Sequence, residues 1–297
     1  MNLAWVGGFR AVPRFSSQRI RAFWRDTNGA KSPHSGALGP CLSVRKAWNP
    51  KKVTKGRNFV AAGDARVSEQ VPVGVHSSAM PAGPIVQLDN VAVRYGRVPV
   101  LSGVDLEIPA GEAVGVVGPN GSGKSTLLRV LATLLRPTEG TITAFGDQMG
   151  DETAFAIRRR IALIGHQPAL YPQLTLRENL AFVARLSGHA EERVDEMLEI
   201  VGLAGAVDRR AEQSSHGMQR RVEFARVILT RPELLLLDEA HAGLDREAGM
   251  LVDAVVDNVR SRGGAAVFVS HELDRMMPLV QATYELVGGT VVPGGTS

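Results

Sequence analysis

The stretch GPNGSGKST, Gly118 to Thr126, constrains this chain more than any other part of it. It fits the pattern G-x-x-x-x-G-K-S/T, with the apolar run AVGVVG before it and KSTLLRVLATLLR overlapping its end. The run predicts a parallel strand buried on both faces, and the segment after the turn predicts a helix ending at Pro137. Strand, glycine-rich turn and helix in that order make a phosphate-binding loop. Gly118, Gly121 and Gly123 let the backbone wrap closely around phosphate with its N–H groups inward, and the helix N-terminus adds its dipole. Lys124 is expected to reach the β- and γ-phosphates, the Ser125 hydroxyl to help hold Mg2+, and Asn120 and Thr126 to bind nucleotide as members of the same motif. The alternative is a plain glycine turn beside a solvated lysine. Residue usage weighs against it, because Lys124 is the only lysine after residue 84 in a region that uses arginine 20 times.

The rest of the second half repeats this strand–loop–helix grammar. IVQLDNVAVRYG has strand-like composition with partial alternation, and VDLEI alternates again before the turn PAGE. ELLLLD and AAVFVSH read as two more buried strands. Between Gln167 and Ser214 the pattern is helical. Thr175 and Glu178 form a candidate capping box for LRENLAFVARL, and EERVDEMLEIVGL reads as a second amphipathic helix. These units indicate an α/β domain with a largely parallel sheet. No internal repeat is visible, so the chain carries one copy of the module.

Residues 1–84 differ in kind. They hold 13 Lys/Arg against 3 Asp/Glu, whereas residues 85–297 hold 21 against 27. The high pI therefore belongs to the first piece, and a nucleic-acid patch on the folded part is not expected. Trp5, Trp24, Trp48 and the single cysteine, Cys41, all lie in that first piece. One cysteine excludes an internal disulfide framework and fits a reducing compartment. Clusters such as HSSAMPAGP read as loop or disorder, and the Arg-rich RFSSQRIRAFWR resembles an organellar presequence. A misassigned start, with the true one near Met80, is the favoured expectation over a cleaved leader or a basic arm on anionic lipid. No apolar run approaches the roughly 20 residues that span a bilayer.

Many NTPases carry a phosphate loop, so the second half must choose among them. Asp238 and Glu239 end the run LLLLDEA, and acids at a strand's C-terminal end lie at the sheet edge where the loop sits. Asp238 is placed to take Mg2+ through water, and Glu239 to orient or deprotonate an attacking water. The alternative is an ordinary acidic helix start. No N-K-x-D guanine-reading motif occurs, which weakens a GTPase reading.

In sequence order, these elements resemble the ATP-binding subunit of an ABC (ATP-binding cassette) transporter over nearly all of residues 85–297. The resemblance implies a P-loop NTPase fold with a mostly parallel sheet core, an N-terminal antiparallel β part and a helical signature subdomain. It implies ATP and Mg2+ as ligands. Tyr95 in VRYG matches the aromatic that stacks on adenine, with an ordinary strand tyrosine as the alternative. Gln167 in GHQPALYPQLTLREN matches the loop glutamine that senses Mg2+ and γ-phosphate and couples to the membrane subunit. Asp245 in AGLD matches the acid facing the opposing subunit, and His271 in FVSHELD the histidine that touches the γ-phosphate.

The family signature L-S-G-G-Q is replaced by SSHGM, residues 214–218. Ser214 or Ser215 is also a helix N-cap candidate, with Val222, Ala225, Ile228 and Leu229 on one face and Pro232 ending the helix. Ser215 and Gly217 are retained, and the resemblance implies that they supply a hydroxyl and a flexible amide aimed at nucleotide on the other subunit. Ser214, His216 and Met218 depart from the signature, and Ala240 departs from the usual proline after the glutamate. Because one signature completes the other site, the resemblance implies a homodimer or a paralogous ATPase partner. It also implies separate transmembrane permease subunits and a peripheral place on the cytoplasmic face of the cell membrane.

Within the family, GHQPALYPQLTLRENLAF with SHGMQRR resembles exporter ATPases, above all those of haem export in cytochrome c maturation. A multidrug or polysaccharide-type exporter ATPase is the close alternative. A soluble iron–sulfur assembly ATPase and a regulatory nucleotide binder without turnover are the rivals from other classes. Glu239 and His271 argue against the last.

Overall fold

The computed structural model describes residues 83–239, 246–270 and 273–294. Nearly all of the basic leader, including Met80, lies outside them. The described chain opens with β1 (Val86–Tyr95), β2 (Val98–Ile108) and β3 (Ala113–Val117), followed by helix α1 (Lys124–Leu131). Next come β4 (Glu139–Ala144), β5 (Asp147–Gln148), α2 (Ala154–Arg159) and β6 (Ile161–Ile164). Three helices follow, α3 (Leu176–Ser187), α4 (Arg193–Ile200) and α5 (His216–Thr230). The chain then runs through β7 (Leu234–Asp238), α6 (Arg246–Ser261), β8 (Ala265–Val269), α7 (Leu273–Met276), β9 (Ala282–Val287) and β10 (Thr290–Pro293).

Two sheets form. One is antiparallel, in the order β2-β1-β4-β5. The other runs β10-β9-β3-β8-β7-β6, parallel throughout except for the β9–β10 hairpin at its edge. The expected antiparallel part, parallel core and helical subdomain are all present.

The continuous apolar runs work because a strand's side chains alternate between faces. In β7, Leu235 and Leu237 join the cluster packed against the helices α3–α6. Leu234 and Leu236 join the opposite cluster, shared with α1 and the antiparallel sheet. In β8, Ala266 and Phe268 go one way, and Ala265, Val267 and Val269 the other. The partial alternation of β1 also has a cause. Its register against β2 shifts between Leu88 and Val91, and Asn90 sits at φ +49° with its N–H donating to Asp105 Oδ1 at 2.7 Å. A bulge of this kind interrupts the period-2 pattern locally.

The helix after the phosphate loop is shorter than the sequence suggests, stopping at Leu131 rather than running to Pro137. Thr133 turns to φ +60°, its N–H donating to Val130 O and that of Leu134 to Arg129 O. That is the Schellman pattern, with threonine where glycine is usual. Arg158 holds the turn from α2, donating to Thr133 Oγ1 and to Thr133 O at 3.1 Å each.

The capping box at α3 forms as expected. Glu178 N–H donates to Thr175 Oγ1 at 3.1 Å, and Thr175 N–H donates to the Glu178 carboxylate at 2.8 Å. The Thr175 N–H, with the Thr175 hydroxyl adding to it, holds the Glu178 carboxyl below its ordinary pKa. Asn179, one residue on, is buried and bonds Tyr171 through both its Oδ1 and its Nδ2, fixing the segment that enters the helix. Thr175→Ala should cost about 1 kcal/mol of stability, measured by urea denaturation, because it leaves a first-turn N–H without its partner.

Candidate active site

Three adjacent parallel strands, β3, β8 and β7, deliver their C-terminal ends to one sheet edge. The phosphate loop leaves β3 there, and Asp238 ends β7 there with Glu239 next in the chain. Between them is a cleft of about 500 Å3, lined by Asn120, Gly121, Gly123, Lys124, Ser125 and Thr126 on the loop side. His166, Asp238, Glu239, Val269 and Val100 complete the wall.

The loop is built by close backbone approach. Gly118 has φ +147°, and a Cβ there would lie 2.5 Å from Leu286 O on β9. Gly123 caps α1 at φ +108° with no side-chain bond to the first-turn N–H groups, which leaves those donors for a ligand. The Lys124 ammonium is nearly buried and donates to Gly118 O at 2.7 Å and Pro119 O at 2.8 Å. Ser122 Oγ is buried without a hydrogen-bond partner. A glycine cradle, unpaired donors and one ammonium fit a polyphosphate.

On the facing wall, Glu239 N–H donates to Val269 O at 2.8 Å while its own backbone turns to φ +51°. A glutamate in that left-handed conformation is uncommon, and it occurs here where the strand stops and the side chain enters the cleft. Burial pushes the Asp238 carboxyl above its ordinary pKa and the neighbouring Glu239 adds to this, with His166, Lys124 and Arg129 opposing. Among the described residues no group of three or more His, Cys, Asp or Glu side chains could hold a metal alone. Ser125 and Asp238 both line the cleft, and their donors would suit a Mg2+ ion shared with a bound polyphosphate, Ser125 through its hydroxyl and Asp238 through water.

The other expected site residues fall in different places. Gln167 is exposed and is not part of the cleft wall, although its neighbour His166 is. Tyr95 is exposed at the turn between β1 and β2. Ser215, not Ser214, caps α5, accepting from Met218 N–H at 3.3 Å, and Gly217 lies in the same first turn, away from the cleft wall. Asp245 and His271 lie outside the described residues.

Sequence reasoning missed His166. Its Nδ1 stands 3.7 Å from Glu239 Oε2. Its only signal was adjacency to Gln167. Reasoning on sequence also missed Arg220 and Glu223, which are buried in α5 and bonded to the loop that carries His166. Their spacing of three on one helix was the available sign.

The fold and the cleft define a nucleotide-binding α/β domain of the phosphate-loop class. The family profile described as ABC transporter matches residues 101–242. A daunorubicin resistance ATP-binding protein of Streptomyces coeruleorubidus is 39% identical over 71% of this chain and 68% of its own length. A cytochrome c biogenesis ATP-binding export protein of Cupriavidus pinatubonensis is 35% identical over 74% of this chain and 96% of its own. An ATP-binding cassette solved as a dimer in a post-hydrolysis state with ADP and Pi superposes with a TM-score of 0.64. It is 27% identical, over 71% of this chain and 99% of that one. The chain belongs to the ABC transporter family and carries its ATP-hydrolysing domain.

The two walls make the loop glycines unequal. Gly118→Ala should destabilise the fold by about 3 kcal/mol, since backbone strain and the clash with Leu286 O add. Nothing lies within 4 Å of a Cβ at Gly121, so Gly121→Ala should cost only the left-handed penalty of about 1 kcal/mol. Paired denaturation curves measure the difference.

Proposed function

We propose that the chain is the ATP-hydrolysing subunit of an exporter and works as a dimer on separate membrane subunits. The observation that carries this reading is the cleft in which Lys124, Ser125, Asp238 and Glu239 face one another. In the proposed reaction the loop N–H groups and the Lys124 ammonium bind the β- and γ-phosphates, Lys124 exchanging two carbonyl partners for phosphate oxygens. Ser125 directly and Asp238 through water would hold Mg2+, which would supply charge neutralisation on the phosphates. Glu239 orients the attacking water and takes its proton, with the carboxylate kept at the cleft wall by its turned backbone. Tyr95 stacks on the adenine, and Gln167, His271 and the partner's matching signature residues close over the γ-phosphate.

The signature acts in trans on this reading. Ser215 and Gly217 stand at the N-terminus of a 15-residue helix, where exposed N–H groups and the helix dipole favour an anion. Neither lines this chain's own cleft, in keeping with residues that serve a second subunit. No described helix is long and apolar enough to cross a membrane. On this reading the membrane path is formed by separate permease subunits, with this chain on their cytoplasmic side.

For cargo we carry haem export in cytochrome c maturation, supported by the relative matched over 96% of its length. Drug export is the second reading, favoured by the higher identity of 39% to the daunorubicin resistance protein. Deleting the gene should lower haem-stained c-type cytochromes. Unchanged cytochromes with raised anthracycline sensitivity would move the assignment to drug export.

Two variants test the chemistry in a phosphate-release assay with a parallel ATP-binding measurement. Lys124→Ala should lose ATP binding, because the polyphosphate loses the only lysine of the folded part. Glu239→Gln should bind ATP, fail to turn over, and elute as an ATP-trapped dimer in size-exclusion chromatography. Parental turnover by Glu239→Gln would sink the assignment of the base.

Ser215→Arg separates the two sites. It should block ATP-driven dimerisation while each monomer binds ATP with near-parental affinity. Normal dimerisation of this variant would remove the composite site.

A further inference from the structure

Arg220 and Glu223 form an ion pair with side chains 0% and 1% exposed, joined at 2.8 Å across one turn of α5. Neither faces the nucleotide cleft. Their remaining bonds go to one short segment, residues 165–169, which leaves β6 and carries His166 and Gln167. Arg220 donates through Nη1 to Gly165 O at 2.6 Å and through Nη2 to His166 O at 2.7 Å. Glu223 Oε1 accepts from Ala169 N–H at 3.0 Å. Both ends of the segment are thus bonded to α5. One turn further along, Arg226 donates to Leu163 O at 2.6 Å, tying the same helix to the end of β6.

Stability alone is a poor account of such a pair. Taking two charges out of water costs several kcal/mol, and apolar replacements of similar volume are often neutral or stabilising. The cost is visible in Glu223, whose carboxyl is pushed above its ordinary pKa by burial even though Ala169 N–H, Arg220 and Arg226 oppose this. What the pair does that apolar side chains cannot is hold three backbone groups of one loop in fixed directions. The consequence falls on His166, which this loop presents to Glu239 at 3.7 Å. The same helix begins with Ser215 and Gly217, five and three residues before Arg220.

We propose that Arg220 and Glu223 are positioning residues for ATP turnover: they lock the 165–169 loop to α5, so that His166 and Gln167 move as one body with Ser215 and Gly217. This rests on the ATPase reading above. A change at this chain's own cleft is then transmitted along α5 to the signature that serves the partner's nucleotide, and the reverse.

The experiment is steady-state ATP hydrolysis by the full chain, with melting temperature and hydrogen exchange of the 165–170 and 214–220 peptides. The double variant Arg220→Met/Glu223→Leu removes both charges together, so it should fold with a melting temperature near the parent's. Its KM for ATP should stay within about twofold and its kcat fall about tenfold or more, the split expected when positioning rather than binding is lost. ATP should alter exchange in both peptides of the parent but only in the 165–170 peptide of the variant. Arg220→Lys, which keeps a donor for one carbonyl, should recover part of kcat.

Parental kcat in the double variant overturns the proposal. So does a lowered melting temperature with kcat per folded molecule unchanged, since that marks a purely structural pair. If the double variant does not fold, Arg220→Lys decides: reduced kcat at parental KM supports the proposal, and any other pattern overturns it. A parent that releases no phosphate sinks the ATPase reading and this proposal with it, whereas a parent that turns over isolates the failure to the pair.

Discussion

Parallel pairing of β3, β8 and β7 is the constraint on which the remaining structure depends. Adjacent parallel strands end at the same edge, so whatever follows each strand meets there. Here the phosphate loop follows β3, Asp238 ends β7 and Glu239 follows it. The pairing requires strands buried on both faces, which only continuous apolar runs such as LLLL and AAVFV satisfy. One set of leucines therefore builds the core and aims the chemistry.

At that edge the backbone is held in uncommon conformations where the cleft needs them. Gly118 runs against a carbonyl of β9, and Glu239 turns left-handed directly after the last residue of β7. Neither geometry survives alone. The Glu239 N–H bond to Val269 O belongs to the next strand, and the approach at Gly118 belongs to a strand formed near the end of the chain. Asp238, its carboxyl held high by burial and by Glu239, is likewise a product of the assembled edge. Such concentrations of strain and shifted acidity are characteristic of working sites.

Helix α5 joins this edge to the helical layer. Its first turn presents Ser215 and Gly217, its middle carries the Arg220–Glu223 pair, and its apolar face, with Phe224, Ala225 and Ile228, packs into the cluster shared with α3, α4 and α6. A single rigid element thus carries the Ser215 cap, the loop beside the cleft and part of the core. With His216 and Met218 in its first turn, the helix keeps the cap at Ser215, which accepts from Met218 N–H.

Much of the fold was legible in the sequence because its signals are local. The phosphate loop reads from glycine spacing and flanking patterns, the capping box from Thr175 and Glu178 three residues apart, and β7 and β8 from length and apolarity. The two acids could be placed at the loop's edge because a parallel sheet leaves no other place for them. What the sequence could not specify were consequences of residues far apart in the chain. The end of α1 at Leu131 depends on Thr133 turning under Arg158, where the apolar pattern continues for several residues. The interrupted alternation of β1 depends on a bulge held by Asp105. His166 became a cleft residue only when β6 and β7 paired, bringing it to Glu239, and Arg220 and Glu223 look like surface charges until α5 covers them. Local propensity and periodicity determine which segments become strands and helices. Only tertiary packing decides which polar groups are buried together, because burial and pairing are properties of neighbours that the chain order does not contain.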